Sequence, residues 1–366
     1  MSFNSIYNGK KVIITGNTGF KGSWLTTWLL QLGAEVYGIS KDIPSSPSMF
    51  EALDLESKIT HYWEDIRNLE ALSKIISEIK PDFIFHLAAQ AIVSTSYTNP
   101  LDTFSSNVMG TLNILESLRN LENACTAILI TSDKAYDNVE SIWGYKENDA
   151  LGGKDIYSGS KGAAELVIYS YFHSFLKNKS NIKIGIGRAG NVIGGGDWAK
   201  DRIVVDCMKA WNEGKIVEIR SPQSTRPWQH VLEPLSGYLN LGLYLNSKNN
   251  LNGEAFNFGP RADQNKTVIE LIENLSVFFN FPNASKAYKI IANEKFNEAN
   301  LLKLNCDKSL FYLKWQSNLS YNIMIEFIGE WYLEYYRDKG DMFNFTTNQI
   351  INYQENAKKQ SLEWSL

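Results

Sequence analysis

Residues 11–39 constrain this chain more than any other stretch. Lys11-Val12-Ile13-Ile14-Thr15 is a short β-branched run of the kind found in a strand covered on both faces, and it leads without a spacer into Thr15-Gly16-Asn17-Thr18-Gly19-Phe20-Lys21-Gly22. Behind the glycines, Trp24, Leu25, Trp28, Leu29 and Leu32 recur at helical spacing, and Gly33 stops the pattern. Glu35-Val36-Tyr37-Gly38-Ile39 then reads as a second strand. Strand, helix and strand within ~30 residues make a βαβ unit, which requires a parallel sheet and a right-handed crossover. Glycines at i, i+3 and i+6 permit positive φ in the turn, let backbone N–H groups approach a pyrophosphate and bring the helix close to the strand. The helix N-terminus favours the anion. Gly16, Thr18, Gly19, Phe20 and Gly22 are therefore candidate cofactor-binding residues.

The alternation continues: a helix near Leu69–Ile79, a strand Asp82–Leu87, a helix from about Pro100 to Leu118, a strand Ala127–Thr131, a helix Tyr157–Leu176 and a strand Ile182–Gly187. Such a series predicts an α/β fold with a Rossmann-like, doubly wound parallel sheet. Beyond residue 190 the pattern loosens into a glycine loop (Gly194–Asp197), a helix Arg202–Asn212, a short strand Val217–Ile219, a helix from His230 to about Leu245, a strand Ala255–Phe258 and an aromatic helix Ile323–Tyr336. The expected division is a cofactor domain at 1–187 with a returning segment at about 229–258, and a smaller mixed α/β C-terminal substrate lobe from about 188–228 and 259–366. The Asn- and Gln-rich tail beyond Asp338 predicts little.

Charge and cysteine content narrow the partners. Lys plus Arg number 36 against 40 Asp plus Glu, so the net charge of −4 argues against the basic surface of a nucleic-acid binder and leaves room for a local cationic pocket. Three cysteines without CxxC spacing indicate neither a disulfide framework nor a zinc site. No segment reads as a signal peptide or membrane span, and the expected compartment is the reducing cytoplasm. Aromatic residues make up 13% of the chain, which suits a packed core and also a stacking pocket, with Trp198 and Trp228 as the candidates for the latter.

An acidic residue ~20 residues past the glycines holds the adenosine ribose 2′-hydroxyl of NAD in this architecture. Asp42 stands at that distance and favours NAD, while Lys41 beside it could meet a 2′-phosphate and keeps NADP open. Asp65-Ile66 could reach the adenine amine or cap a helix. For chemistry, Tyr157 and Lys161 stand four apart at the start of a helix and share a face. A nearby ammonium favours the phenolate, which lowers the phenol pKa toward working pH and allows it to accept a hydroxyl proton. Thr131-Ser132-Asp133-Lys134 reaches the carboxyl edge of the sheet, where ligands bind. A hydroxyl, a carboxylate and an ammonium in succession there suggest more than one proton transfer.

The segments TGNTGFKG, LAAQ (Leu87–Gln90), SDKAYDN, YSGSK, RAGNVIGGGDW (Arg188–Trp198) and RPWQHVLEPLSGYL resemble the extended short-chain dehydrogenase/reductase family in its nucleotide-sugar branch, more narrowly the CDP-glucose 4,6-dehydratases, from about residue 8 to about residue 335. The resemblance implies that Leu87, Ala88 and Ala89 line the cofactor site. It implies a redox-neutral dehydration on CDP-glucose, of the kind used in deoxysugar and O-antigen lipopolysaccharide synthesis. Tyr157, with Ser132 and Lys161, would take the 4-hydroxyl proton; Lys134 would remove the carbon 5 proton; Asp133 would protonate the departing 6-hydroxyl. Arg188, Asn191, Arg202, Arg220 and Arg226 are candidates for the diphosphate because arginine presents a planar bidentate fork, with His230 a structural histidine near the phosphates and Gln90 a further substrate contact. Asn107 would support the site, and the 100–118 and 157–176 helices would pair into a homodimer. A dehydratase or 4-epimerase acting on another nucleotide-hexose, or a silent NAD-binding subunit, are the competing expectations. An epimerase has no use for Asp133 and Lys134.

Overall fold

The computed structural model describes residues 2–247, 249–261, 264–279, 281–291, 302–338 and 340–366. Part of the expected C-terminal lobe, residues 292–301, thus lies outside the described residues. Strands β1 (Lys11–Thr15), β2 (Glu35–Ser40), β3 (Thr60–Trp63), β4 (Phe83–His86), β5 (Cys125–Ile130), β6 (Ile182–Ala189) and β7 (Ala255–Phe258) form a seven-stranded sheet in the order β7-β6-β5-β4-β1-β2-β3. Every neighbouring pair is parallel. The order reverses between β1 and β4, so the crevice for a ligand opens beyond Thr15 and His86, which are paired in register.

Alternation along the strands assigns the faces. Ile13, Ile84, Ala127, Leu129, Ile182 and Ile184 pack under α2 (Leu69–Ile79), α3 (Gly110–Arg119) and α4 (Ile156–Tyr171). Val12, Ile14, Phe83, Phe85 and Ile128 point the other way, into a larger core with α1 (Phe20–Gln31) and, further along the chain, α5 (Ile203–Asn212), α6 (Leu232–Ser247), α7 (Tyr321–Leu333) and α8 (Met342–Lys359). The doubly wound expectation therefore holds, and the predicted return of Ala255–Phe258 to the sheet is met at its edge beside β6.

Three local differences matter. The predicted 100–118 helix is interrupted by a wide π-type turn at Ser105–Met109, which inserts Asn107 toward the site. The predicted helix from His230 starts at Leu232, because Gln229–His230 pairs with Val192–Ile193 as a two-stranded ribbon. The polar tail is α8, lying on α1: Tyr353 meets Trp28 edge-on at 5.6 Å, and beyond the helix Trp364 stacks on Phe3 at 5.0 Å.

Candidate active site

The glycine turn is built around close approach. A Cβ on Gly16, whose φ is +76°, would lie 2.7 Å from the Ala88 nitrogen, and one on Gly22 would lie 2.1 Å from the Gly16 carbonyl oxygen. Gly19 starts α1 with no side-chain cap, so the helix N-terminus is left for an anion. Asn17, not singled out in the sequence, is buried and wires the turn to β2 and β3: Ser40 Oγ donates to its Oδ1 at 2.8 Å, and its Nδ2 lies 3.1 Å from His61 Nδ1. Thr18 donates its hydroxyl to the Asp42 carbonyl at 2.7 Å, which leaves the exposed Asp42 carboxylate 4.0 Å from Lys41 Nζ.

Asp65 is gripped by Arg67, whose Nη2 donates to Oδ2 at 2.6 Å, and that hydrogen bonding holds the carboxyl below its usual range. Ile66 is buried against Gly110. Leu87, Ala88 and Ala89 run half-buried along the crevice, with the Ala88 N–H donating to Thr15 Oγ1 at 3.2 Å. These residues fit a dinucleotide: the main chain is bare where a pyrophosphate must approach, and a carboxylate stands at the far end.

The chemistry-bearing groups converge beyond β5. Ser132 caps a short turn, donates to Asp133 Oδ1 at 2.9 Å and accepts the Lys134 N–H at 3.2 Å. Gly190 makes room for Asp133, since a Cβ there would lie 3.0 Å from Oδ2. Asp155 caps α4, accepting the Ser158 N–H at 2.9 Å, and so fixes Tyr157 in the first turn. Lys161 Nζ lies 6.0 Å from the Tyr157 ring centre. Asn107 braces this helix against the β4 loop: Nδ2 donates to Ser160 Oγ at 2.9 Å and Oδ1 accepts the Gln90 N–H at 2.8 Å.

Electrostatics corrects one expectation. Burial pushes the Tyr157 phenol up to about 12, and the groups that oppose it are Ser132, through a hydrogen bond, and Arg202, through its charge. Lys161, assigned that task from spacing, is itself pushed down to about 8 by burial, against the field of Glu165. Asp133 is raised by burial despite Lys134, Ser132 and Lys21, so it favours the protonated, donating form. Lys21 also belongs to this group: burial, then Arg202, push its ammonium down to about 8, while Asp133 and Asp197 pull the other way. Spacing alone does not single it out, although it is the only charged residue between Thr15 and Gly22.

Among the diphosphate candidates, Arg202 is half-buried and paired with Asp197. Asn191 is half-buried with its carbonyl accepting Gln229 N–H, and Arg226 is half-buried in a ribbon, Nη1 donating to the Thr225 carbonyl at 2.9 Å. Arg220 is exposed, its charge acting on Asp206. Burial and hydrogen bonding oppose the substrate role for Arg188 and Gln90, and agree with the structural role expected for His230. Arg188 is inside the protein, donating to Glu165, to Tyr136 Oη at 2.6 Å and to the Glu147 carbonyl at 3.0 Å. His230 is fully buried between Trp24 and Phe327. Gln90 turns its amide onto its own loop, donating to the Ile92 carbonyl and Thr103 and accepting the Ile92 N–H at 2.6 Å. Trp198 and Trp228 are likewise core residues, 2% and 5% exposed. A cleft of about 1120 Å³ opens on the far side of Arg188 and Glu165, between α4 and the β6–β7 edge, and takes in none of the groups around Tyr157.

The model of the GDP-mannose 4,6-dehydratase family matches residues 13–326. A CDP-glucose 4,6-dehydratase of Salmonella typhimurium is 41% identical over 354 residues, covering 95% of this chain and 97% of that protein. Among solved structures, the epimerase Mth375 of Methanothermobacter thermautotrophicus superposes with a TM-score of 0.77 at 23% identity, covering 92% of this chain and 96% of that one. A dTDP-glucose 4,6-dehydratase from Bacillus anthracis, in complex with NAD, superposes with a TM-score of 0.73 at 18% identity, covering 92% and 100%.

Proposed function

The chain belongs to the nucleotide-sugar branch of the extended short-chain dehydrogenase/reductase family, and from that premise we propose that it is an NAD-dependent lyase converting CDP-D-glucose to CDP-4-keto-6-deoxy-D-glucose and water. The carrying observation is the buried Ser132-Asp133 pair and Lys134 beside Tyr157 and Lys161, which supplies an acid and a base beyond those an oxidation needs. Gly16, Gly19, Gly22 and Asp42 would hold NAD, which when bound accepts a hydride from carbon 4 of the sugar and returns it to carbon 6. Tyr157 takes the 4-hydroxyl proton, with Ser132 and Arg202 stabilising the phenolate and Lys161 holding the nicotinamide ribose. The carbon 4 ketone acidifies carbon 5, whose proton passes to Lys134. Asp133, whose pKa burial raises, gives its proton to the departing 6-hydroxyl, and water leaves. Carbon 5 is then reprotonated, and because the hydride taken from carbon 4 goes back to carbon 6 the reaction is redox-neutral overall. Arg202, Arg226 and Asn191 are assigned to the diphosphate.

The test is incubation with NAD and a panel of nucleotide-hexoses in D₂O, followed by NMR. CDP-glucose should give a 6-deoxy-4-keto product deuterated at carbon 5. A 4-epimer would support the alternative reading, a dehydratase acting only on another nucleotide would move the substrate, and no turnover with any sugar would sink the assignment. Lys134→Ala should leave carbon 4 oxidation measurable at 340 nm but suppress deuterium uptake at carbon 5; unaltered uptake would transfer proton removal to Asp133 acting with water.

The same proposal includes a cytoplasmic location, supply of deoxysugars of the O-antigen kind, and a division into an NAD domain (1–187 with about 229–258) and a nucleotide-sugar lobe. No described helix is long and apolar enough to cross a membrane. A homodimer is supported by the apolar side chains on the paired helices, Leu101 at 86%, Leu166 at 57% and Tyr169 at 65% exposure. Sedimentation should give a dimer for the wild type and a monomer for Leu101→Glu/Leu166→Glu; a monomeric wild type would refute this.

A further inference from the structure

The loop between β6 and α5 is held by side chains of α7 and of the turn after it. A Cβ on Gly195 would lie 2.1 Å from the Trp331 ring, and Gly196 has φ +79°. Trp198 is clamped by α7 and the turn after it: its ring lies 5.6 Å from Trp331 and 4.7 Å from Tyr335, and its indole N–H donates to Tyr336 Oη at 3.1 Å. Tyr332 donates its hydroxyl to the Asp197 carbonyl at 2.6 Å. All of these contacts fix the backbone on either side of one carboxylate. Asp197 is 4% exposed; its Oδ1 accepts the Ala199 N–H at 3.0 Å and its Oδ2 accepts from Arg202 Nη1 at 2.5 Å. From the far side of the crevice, Ser94 donates its hydroxyl to Asp201, whose φ is +59°, immediately before Arg202.

Arg202 is thereby placed where its charge acts on both the Tyr157 phenol and the Lys21 ammonium. Three cations, Lys21, Lys161 and Arg202, share this space: Arg202 and Lys161 each push the Lys21 ammonium down. Glu165 acts on the Lys161 ammonium, and Asp197 is the carboxylate that is bonded to Arg202 and whose charge also acts on Lys21. An arginine has five N–H donors, and the bond to Asp197 uses one, so the guanidinium can be oriented by Asp197 and still present a face to an anion.

We propose that Asp197 is a positioning residue: it holds the Arg202 guanidinium between the Tyr157 phenol and the diphosphate of the nucleotide sugar, and acts on substrate only through Arg202. This rests on the nucleotide-sugar reading above. The aromatic α7 serves the same end, by fixing the loop that carries Asp197.

A double-mutant cycle decides it, read as the dissociation constant of CDP by calorimetry and as kcat and KM for CDP-glucose. Asp197→Asn should weaken CDP about tenfold, the loss expected when a charge-assisted hydrogen bond is no longer held in place, raise KM more than it lowers kcat, and leave the dissociation constant of NAD within about twofold. Arg202→Met should weaken CDP at least as much. The double variant should be no weaker than Arg202→Met alone. Asp197→Glu, which keeps the charge one methylene further out, should fall between Asn and wild type, and takes the place of Asn in the cycle should that variant fail to fold. Additive losses in the double variant, or CDP binding unchanged in Asp197→Asn, would overturn the proposal. A wild type that binds CDP without turning over CDP-glucose fails the function while the cycle is still read on CDP; a wild type that binds no CDP overturns both.

Discussion

Tyr157→Phe is expected to lower kcat by ~10²–10⁴-fold, the contribution of one positioned proton-transfer group, while leaving the fold and NAD affinity near wild type. The ring of Tyr157 is 8% exposed and packs in the first turn of α4, so phenylalanine keeps its packing. What is lost is the hydroxyl proposed to take the 4-hydroxyl proton. Because the phenolate is the active form and burial pushes the phenol up to about 12 in the unliganded chain, kcat/KM of the wild type should rise with pH toward the alkaline side. That rising limb should vanish in Tyr157→Phe. Steady-state rates over pH 6–9 check both statements; a variant keeping more than about a tenth of wild-type kcat would remove Tyr157 from the role.

Arg188→Met is expected to cost ~3–5 kcal/mol of stability, because it strands a buried carboxylate. Both side chains of the Arg188–Glu165 pair are 3% exposed. Glu165 also accepts the Thr131 hydroxyl at 2.6 Å, and Arg188 lies over the Tyr136 ring at 4.7 Å, so the pair ties β5, β6 and α4 together. The urea midpoint should fall accordingly, and the double variant Arg188→Met/Glu165→Leu should recover much of the loss, since replacing a whole buried pair by apolar groups is often close to neutral. A single variant as stable as wild type would return Arg188 to the list of residues free to meet substrate. The pair also reaches the chemistry: Glu165 is the group that holds up the Lys161 ammonium against burial.

These two sites were unequally visible beforehand. Tyr157 and Lys161 announce themselves because a four-residue separation on a helix is a geometric statement. Arg188 carries the same kind of label as Arg202, an arginine next to a conspicuous motif, yet one is bonded to a glutamate in the interior and the other faces the phenol. Nothing along the chain separates them. The separation comes from β6 running two residues further than expected, to Ala189, which puts Arg188 in the sheet opposite Asn257 rather than in the loop. The structural role expected for His230 likewise takes its form only in three dimensions: it lies in a ribbon strand, enclosed by α1 and α7.

Spacing and residue type were sufficient wherever the relevant partners are near in sequence: the glycine turn, the βαβ alternation, the Ser132-Asp133-Lys134 turn and the Tyr157/Lys161 face all follow from local stereochemistry. The tertiary structure decided what depends on burial and on distant partners. It drew Lys21 among the charges around Asp133 and Arg202, set Asp197 against Arg202, moved the phenol upward rather than downward, and turned a polar tail into a helix covering α1. Backbone geometry is written in short-range sterics, whereas charge state and accessibility depend on what the rest of the chain removes from water.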